Sequence, residues 1–213
     1  MKEVCREQVE RAIQNLKKNQ MEAVFFPTGK ELLAALDTYV KDGAAVSFGG
    51  SMTLFETGVM EWLRQKEKEG RIRLLDRDRE GIAPEEVQKI YRDSFFSDVY
   101  FCSSNAITED GCLYNVDGNG NRVAAMIFGP RSVVVVAGVN KIVKDKEEAV
   151  RRVETVAAPK NAQRLRKQTP CVKTGTCMHC MAEDRICASY VFLGRQRVKN
   201  RIKVLLVGED YGY

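Results

Sequence analysis

No apolar run in the 213 residues approaches the roughly 20 needed to cross a bilayer, which argues against a helical membrane span. The opening stretch, MKEVCREQVERAIQNLKKNQ, is charged throughout and lacks the apolar core of a signal peptide, so a cytoplasmic location is expected. Neither a Walker loop nor a GxGxxG fingerprint is present, so no nucleotide is specified. No internal repeat or low-complexity linker interrupts the chain, and its length fits a single domain, 1–213. Histidine occurs once, at His179. What is present, 44% hydrophobic and 30% charged residues, reads as a globular protein. Such a chain buries enough surface to fold without staples. In a reducing compartment, clustered cysteines therefore read as ligands or redox groups rather than disulfides.

The net charge of +5 hides an asymmetry. From Arg151 to Lys203 there are 13 Lys/Arg against 3 Asp/Glu, so the rest of the chain is net acidic. A basic stretch of this kind suits an anionic metabolite, an acidic partner or nucleic acid, or is simply a solvated helix face.

Hydrophobic periodicity predicts an α/β fold. Val9, Ala12, Ile13 and Leu16 share one helical face. EAVFF, AAVSF, RIRLL, DVYFCSS, SVVVVAGV and RIKVLLV read as strands, with SVVVVAGV central. Helices between them start at Thr28, whose partner Glu31 makes a capping box, at Thr53 (running to about Lys68) and at Pro84. Alternation of buried strands and helices implies a mainly parallel central sheet covered on both faces. Residues 105–127, with Asp110-Gly111 and then DGNGN, predict a hairpin-rich insertion. A long basic helix is expected over residues 145–167, interrupted near Pro159.

Two loops are candidate ligand sites. In SFGGSMTLFETG a buried strand runs through Gly49, Gly50 and Ser51 into a helix, an arrangement that offers backbone N–H groups to an anion. Ser51 and Thr53 add hydroxyls, although either also serves as a helix cap. Glu56 is a weak catalytic candidate, since pairing with a Thr53 cap already accounts for it. The second loop, Asp117, Gly118, Asn119, Gly120, Asn121 and Arg122, combines close backbone approach with polar contacts. Lys141, after the long strand, points a charge at the same sheet edge or is a surface lysine.

The third candidate is CVKTGTCMHCMAEDRIC, a cysteine-rich segment at 171–187. Cys171, Cys177, Cys180 and Cys187 suffice for a tetrahedral zinc site or an iron–sulfur cluster. For one ion the sulfurs should stand roughly 3.5–4 Å apart, given metal–sulfur bonds of ~2.3 Å. The spacing differs from the common bacterial ferredoxin run, and His179 lies inside the Cys-x-x-Cys, where chelation from both sides is strained. Neighbouring lysines and arginines should lower the thiol pKa values. A Cys177–Cys180 redox pair and uncoordinated thiols are the alternatives. Cys5, Cys102 and Cys112 read as ordinary residues.

Taken together, VSFGGSMTLFETGVME, SSNAITEDGCLYNVDGNGNRVAAMIFGPRSVVVVAGVNKIV, PCVKTGTCMHCMAEDRIC and LLVGEDYGY resemble the LUD-domain, or lactate-utilisation, family. The resemblance covers nearly the whole chain; its cysteine block matches a subset of short members. It implies a fold like that of the sugar-phosphate isomerase and CoA-transferase group, with ligands at the carboxyl edge of the sheet. It also implies a role in oxidising L-lactate or a related 2-hydroxy acid, with partner proteins that carry iron–sulfur clusters. Two other readings compete: a free-standing enzyme acting on acyl or sugar-phosphate substrates through Glu56, and a zinc-stabilised regulator that binds nucleic acid.

Overall fold

A computed structural model describes residues 6–213; Cys5 lies outside the described residues. Helix α1 (Arg6–Lys18) is followed by β1 (Glu22–Phe26), α2 (Gly29–Ala35) and β2 (Ala45–Phe48). Next come α3 (Met52–Glu56), α4 (Val59–Lys68), β3 (Arg73–Leu75), α5 (Pro84–Asp93) and β4 (Val99–Cys102). Strands β5 (Ala106–Thr108) and β6 (Leu113–Asp117) precede α6 (Asn121–Ile127), β7 (Ser132–Gly138) and β8 (Ile142–Val143). The chain ends with α7 (Lys146–Arg152), α8 (Ala158–Arg164), α9 (Pro170–Thr174), β9 (Ser189–Leu193) and β10 (Ile202–Val207).

Six strands form a wholly parallel sheet in the order β1-β10-β7-β4-β2-β3. β7 is inside it, as its run of four valines predicts, because a strand covered on both faces needs apolar side chains on both. Side chains alternate between two cores. Val133, Val135 and Ala137 pack with Tyr100, Cys102, Val204, Leu206 and helix α1 on one face. Val134 and Val136 pack with Val46, Phe48, Phe101, Leu205 and the α2–α4 region on the other.

The insertion differs from its expected form. It contains one hairpin, β5–β6, closed at Gly111, where a side chain would strike the backbone of Asn15 at 2.5 Å. The second Gly/Asn turn opens α6 instead of another hairpin, because Asp117 accepts from Gly120 N and Val123 N and starts a helical turn. β8 and β9 extend the hairpin into a second, mixed sheet in the order β8-β5-β6-β9.

Two helices also depart from expectation. The helix begun at residue 52 breaks at Gly58, which is left-handed at φ 80°, so α3 and α4 are separate. The helix over residues 146–164 is not interrupted at Pro159. A π turn at Val153–Ala157 shifts the hydrogen-bond register ahead of the proline, and the helix carries on. Among the described residues, no helix is long and apolar enough to cross a membrane.

Candidate functional site

The second sheet leaves the end of β4 through Ser103, Ser104 and Asn105, and a cleft of about 550 Å³ opens between the two sheets. Its walls follow the carboxyl ends of the parallel strands: Gly50, Ser51 and Thr53 after β2, Arg77 after β3, Ser103–Asn105 after β4, Lys141 after β7 and Tyr213 after β10. Asp117, Gly118, Asn119, Asn121 and Arg122 form the opposite side, and Arg164, Lys167 and residues 183–186 complete it. The two loops singled out from sequence thus meet in one cleft.

Individual residues have different tasks within it. Gly49 and Gly120 do not line the cleft. Gly49 instead makes room for two neighbours: a side chain there would meet the Tyr100 hydroxyl at 2.8 Å and Arg122 at 3.1 Å. Gly50 likewise lets Arg77 lie against the backbone, where a Cβ would stand 2.8 Å from Nη2. Gly120 is left-handed at φ 79° and begins α6. Ser51 is the helix cap, accepting from Leu54 N at 3.4 Å.

Thr53 is not the cap, and Glu56 is not its capping partner. The Glu56 carboxylate accepts from Gly212 N at 2.5 Å and lies outside the cleft lining. Arg122, expected as a ligand cation, is a strut. Its two Nη atoms donate to Ser103 O, Asn115 Oδ1, Asn105 Oδ1 and Val116 O at 2.5–3.1 Å, and Nε faces Asp117 at 3.6 Å. This clamps the end of β4 to the second sheet.

Lys141 is the most perturbed group facing the cleft. It is only 3% exposed, and Nζ donates to Thr53 Oγ1 at 2.7 Å and Ser103 Oγ at 2.9 Å. Both acceptors are neutral, so no counter-charge touches the ammonium. Burial, with Arg152 and Arg122 nearby, lowers its pKa to about 7. Arg152 is itself buried, donating to Asn140 O at 3.1 Å and Asn105 O at 2.7 Å.

The final residues roof this corner. Tyr211 O accepts from Thr53 Oγ1 at 3.3 Å, and Gly212 O accepts from Asn140 Nδ2 at 3.2 Å. Tyr213 is held by Arg164 at 2.6 Å and Asn161 at 3.2 Å. Sequence reasoning gave the closing residues no place in the cleft and missed Arg77, Ser103, Asn105, Arg164, Lys167 and Arg185. The position of Ser103–Asn105 directly after a buried parallel strand was the available signal. With Lys141 charged, six basic side chains line the cleft against Asp117, Glu183 and Asp184.

The four cysteines of 171–187 line a separate small cavity with Ala158, Thr169, Met178 and Ile186. Among the described residues no cysteine is in a disulfide. Burial pushes the Cys187 thiol up to about 11, and the sulfurs of Cys177, Cys171 and Cys180 act in the same direction. The expected lowering by basic neighbours is therefore reversed at Cys187, where Arg185 is outweighed. Among the described residues, the one group of three metal-type donors within 4.8 Å of one another is Glu154, Cys177 and His179; no three of the four cysteine sulfurs meet that limit. Cys102 and Cys112 are buried in the body of the protein.

A parallel α/β sheet with an anion-suited cleft at its carboxyl edge is thus the class of molecule. The LUD domain profile matches residues 9–207, and the chain belongs to the LUD-domain family, which is associated with lactate utilisation. Among solved structures, the chain is similar to a DUF162 family protein from Deinococcus radiodurans, with 15% identity, TM-score 0.52 and 95% of each chain covered. It also aligns with eIF2B beta from Chaetomium thermophilum, with 11% identity, TM-score 0.40, and 56% of this chain and 44% of the other covered. No curated protein is significantly similar in sequence.

Proposed function

We propose that the chain is a component of a system using lactate or a related 2-hydroxy acid, and that its cleft binds the small carboxylate. The observation carrying this reading is the polar cleft at the carboxyl edge of the sheet, where buried Lys141 sits between two hydroxyls and further cations surround it. A carboxylate there would supply a counter-charge in direct contact, where Glu56 acts on Lys141 only from a distance. The family's association with lactate utilisation supports the choice of ligand. On this reading the partners are iron–sulfur proteins of the same oxidation system. A free-standing enzyme acting through Glu56 draws no support from the geometry, since that carboxylate holds the C-terminal residues in place. A nucleic-acid regulator gains little either, because several basic groups of the 151–203 stretch, Arg152, Arg185 and Arg201 among them, hydrogen-bond protein carbonyls.

The test is a titration with lactate, pyruvate, sugar phosphates and CoA, following thermal stability. Lactate or pyruvate should raise the unfolding midpoint, and Arg77→Gln with Lys141→Met should abolish the rise. Binding that survives this double substitution undiminished would place the ligand elsewhere.

A further inference from the structure

We infer that Lys141 is a nucleophile whose amine condenses with the carbonyl of a 2-oxo acid such as pyruvate, holding that acid in the cleft as a Schiff base. The inference rests on the carboxylate reading of the cleft and adds a covalent step to it.

The mounting of the side chain carries this. Lys141 follows β7 at the carboxyl edge of the sheet. Its Nζ is fixed by residues of two other elements, Thr53 of α3 at 2.7 Å and Ser103 after β4 at 2.9 Å. All three residues line the cleft. Buried lysines are ordinarily paired with a carboxylate, whereas this one meets two hydroxyls. They accept from two of the three ammonium N–H groups, and the third has no acceptor among the described residues. One direction at the nitrogen is thus left without a protein partner.

An amine must be neutral to attack a carbonyl. Burial, with the Arg152 and Arg122 guanidiniums nearby, brings Lys141 to a pKa of about 7, so close to half of the chains carry the free amine at neutral pH. A solvated lysine would offer it in only about one chain in 2,500.

The step balances without an oxidant or reductant. The Nζ lone pair forms a bond to C2 of the oxo acid, and the carbonyl oxygen takes up a proton to become the hydroxyl of a carbinolamine. The nitrogen gives up one proton. The hydroxyl then leaves as water while the C–N bond becomes C=N, so amine and ketone give imine and water. The Thr53 and Ser103 hydroxyls stand at hydrogen-bond distance from Nζ, where they can pass protons between the nitrogen and the departing oxygen. The imine takes a proton from water and keeps one positive charge beside the acid's carboxylate. Arg77, lying against Gly50 in the same cleft, offers that carboxylate a second cation. A 2-hydroxy acid has no carbonyl at C2 and is held by charge alone.

The full chain should be incubated near neutral pH with pyruvate, lactate or propionaldehyde, reduced with cyanoborohydride, digested and mapped by mass spectrometry. Thermal stability is followed in parallel without the reductant. Pyruvate should leave one carboxyethyl group on Lys141 in most chains, and lactate none. Propionaldehyde, a carbonyl compound without the carboxylate, should label Lys141 far less. Thr53→Val and Ser103→Ala should each slow labelling by about tenfold or more; should either variant unfold, the peptide map of the wild type decides. Stabilisation by pyruvate and lactate with no adduct at Lys141 would overturn the inference and leave the carboxylate reading standing. Labelling spread over surface lysines as heavily as at Lys141 would also overturn it. Neither stabilisation nor an adduct would remove both readings.

Discussion

Replacing Lys141 with methionine tests the electrostatics at the centre of the cleft. Methionine keeps most of the side-chain stem and removes the ammonium. Thr53 and Ser103 lose a donor but keep the carbonyls they donate to, at Tyr211 and Ser104. The lysine pKa falls from 10.5 to about 7 on folding. At about 1.36 kcal/mol per unit, keeping the ammonium charged in the fold costs roughly 4–5 kcal/mol. The direction follows from proton counting. Between about pH 7 and pH 10.5 the unfolded chain holds a proton that the folded chain has released, so stability rises with pH across that window. The contribution is complete above the unfolded pKa and is lost as pH falls through about 7. Urea denaturation of the wild type should therefore gain about 2–3 kcal/mol between pH 6.5 and pH 9 relative to Lys141→Met, whose own profile cancels every other titrating group. Adding a carboxylate that docks beside Nζ should restore the charge, so calorimetry near pH 8.5 should show close to one proton taken up per ligand by the wild type and none by the variant. Parallel stability profiles from pH 6.5 to 9 would refute the reasoning and would mean that Lys141 is solvated or already paired.

Arg122→Lys should destabilise the protein by about 3–5 kcal/mol, because one ammonium cannot reach the four oxygens that now accept from the guanidinium. A urea midpoint within a few tenths of a molar of the wild type would show that water replaces the lost donors. Gly212→Val should release the C-terminal residues, since Gly212 has φ 64° and a Cβ there would collide with Thr53 Oγ1. Faster amide exchange at Tyr211–Tyr213 with global stability changed by less than about 1 kcal/mol is the expected signature, and unchanged exchange would show that the roof tolerates the side chain.

Most of the parallel sheet was legible because its strands are short apolar runs with clear punctuation. Ser132–Gly138 could hardly be anything but an inner strand. The two candidate loops were legible for a related reason: in a parallel sheet every loop after a strand arrives at the same edge, so Gly50–Thr53 and Lys141 had to be neighbours once the topology was read. β9 was not legible. SYVFL follows the cysteine segment, alternates between exposed and half-buried positions, and owes its strand form to pairing with β6, far away in sequence. The function of Arg122 was hidden for the same reason. Its partners Ser103, Asn105, Asn115 and Val116 come together only when β4 hands over to the second sheet, and a basic residue beside glycines looks the same whether it meets a ligand or carbonyl oxygens. The Asp117 helix start was legible in kind, since an Asx residue before glycine is a cap signal, but a hairpin and a helix begin with the same turn.

Arg122 and Arg185 explain why the cleft is cationic without being a simple cluster of free charges. Each guanidinium is tied to backbone carbonyls: Arg122 to those of Ser103 and Val116, Arg185 to those of Cys180 and Cys187. Carbonyl dipoles hold these arginines in place without cancelling their charge, and only at Arg122 does a carboxylate, that of Asp117, stand close by, 3.6 Å from Nε. Lys141 is the group that feels the nearby charge, since Arg122 and Arg152 both lower its pKa. A lysine kept close to half-charged near pH 7 responds to whatever enters beside it. A carboxylate draws a proton onto Nζ, and a neutral ligand does not. On the proposed reading the site should therefore distinguish an acid from its neutral analogue through the ionisation of one side chain. It does so because the residues that fix the walls, Arg122 and Arg152, are also the residues that make Lys141 reluctant to be charged.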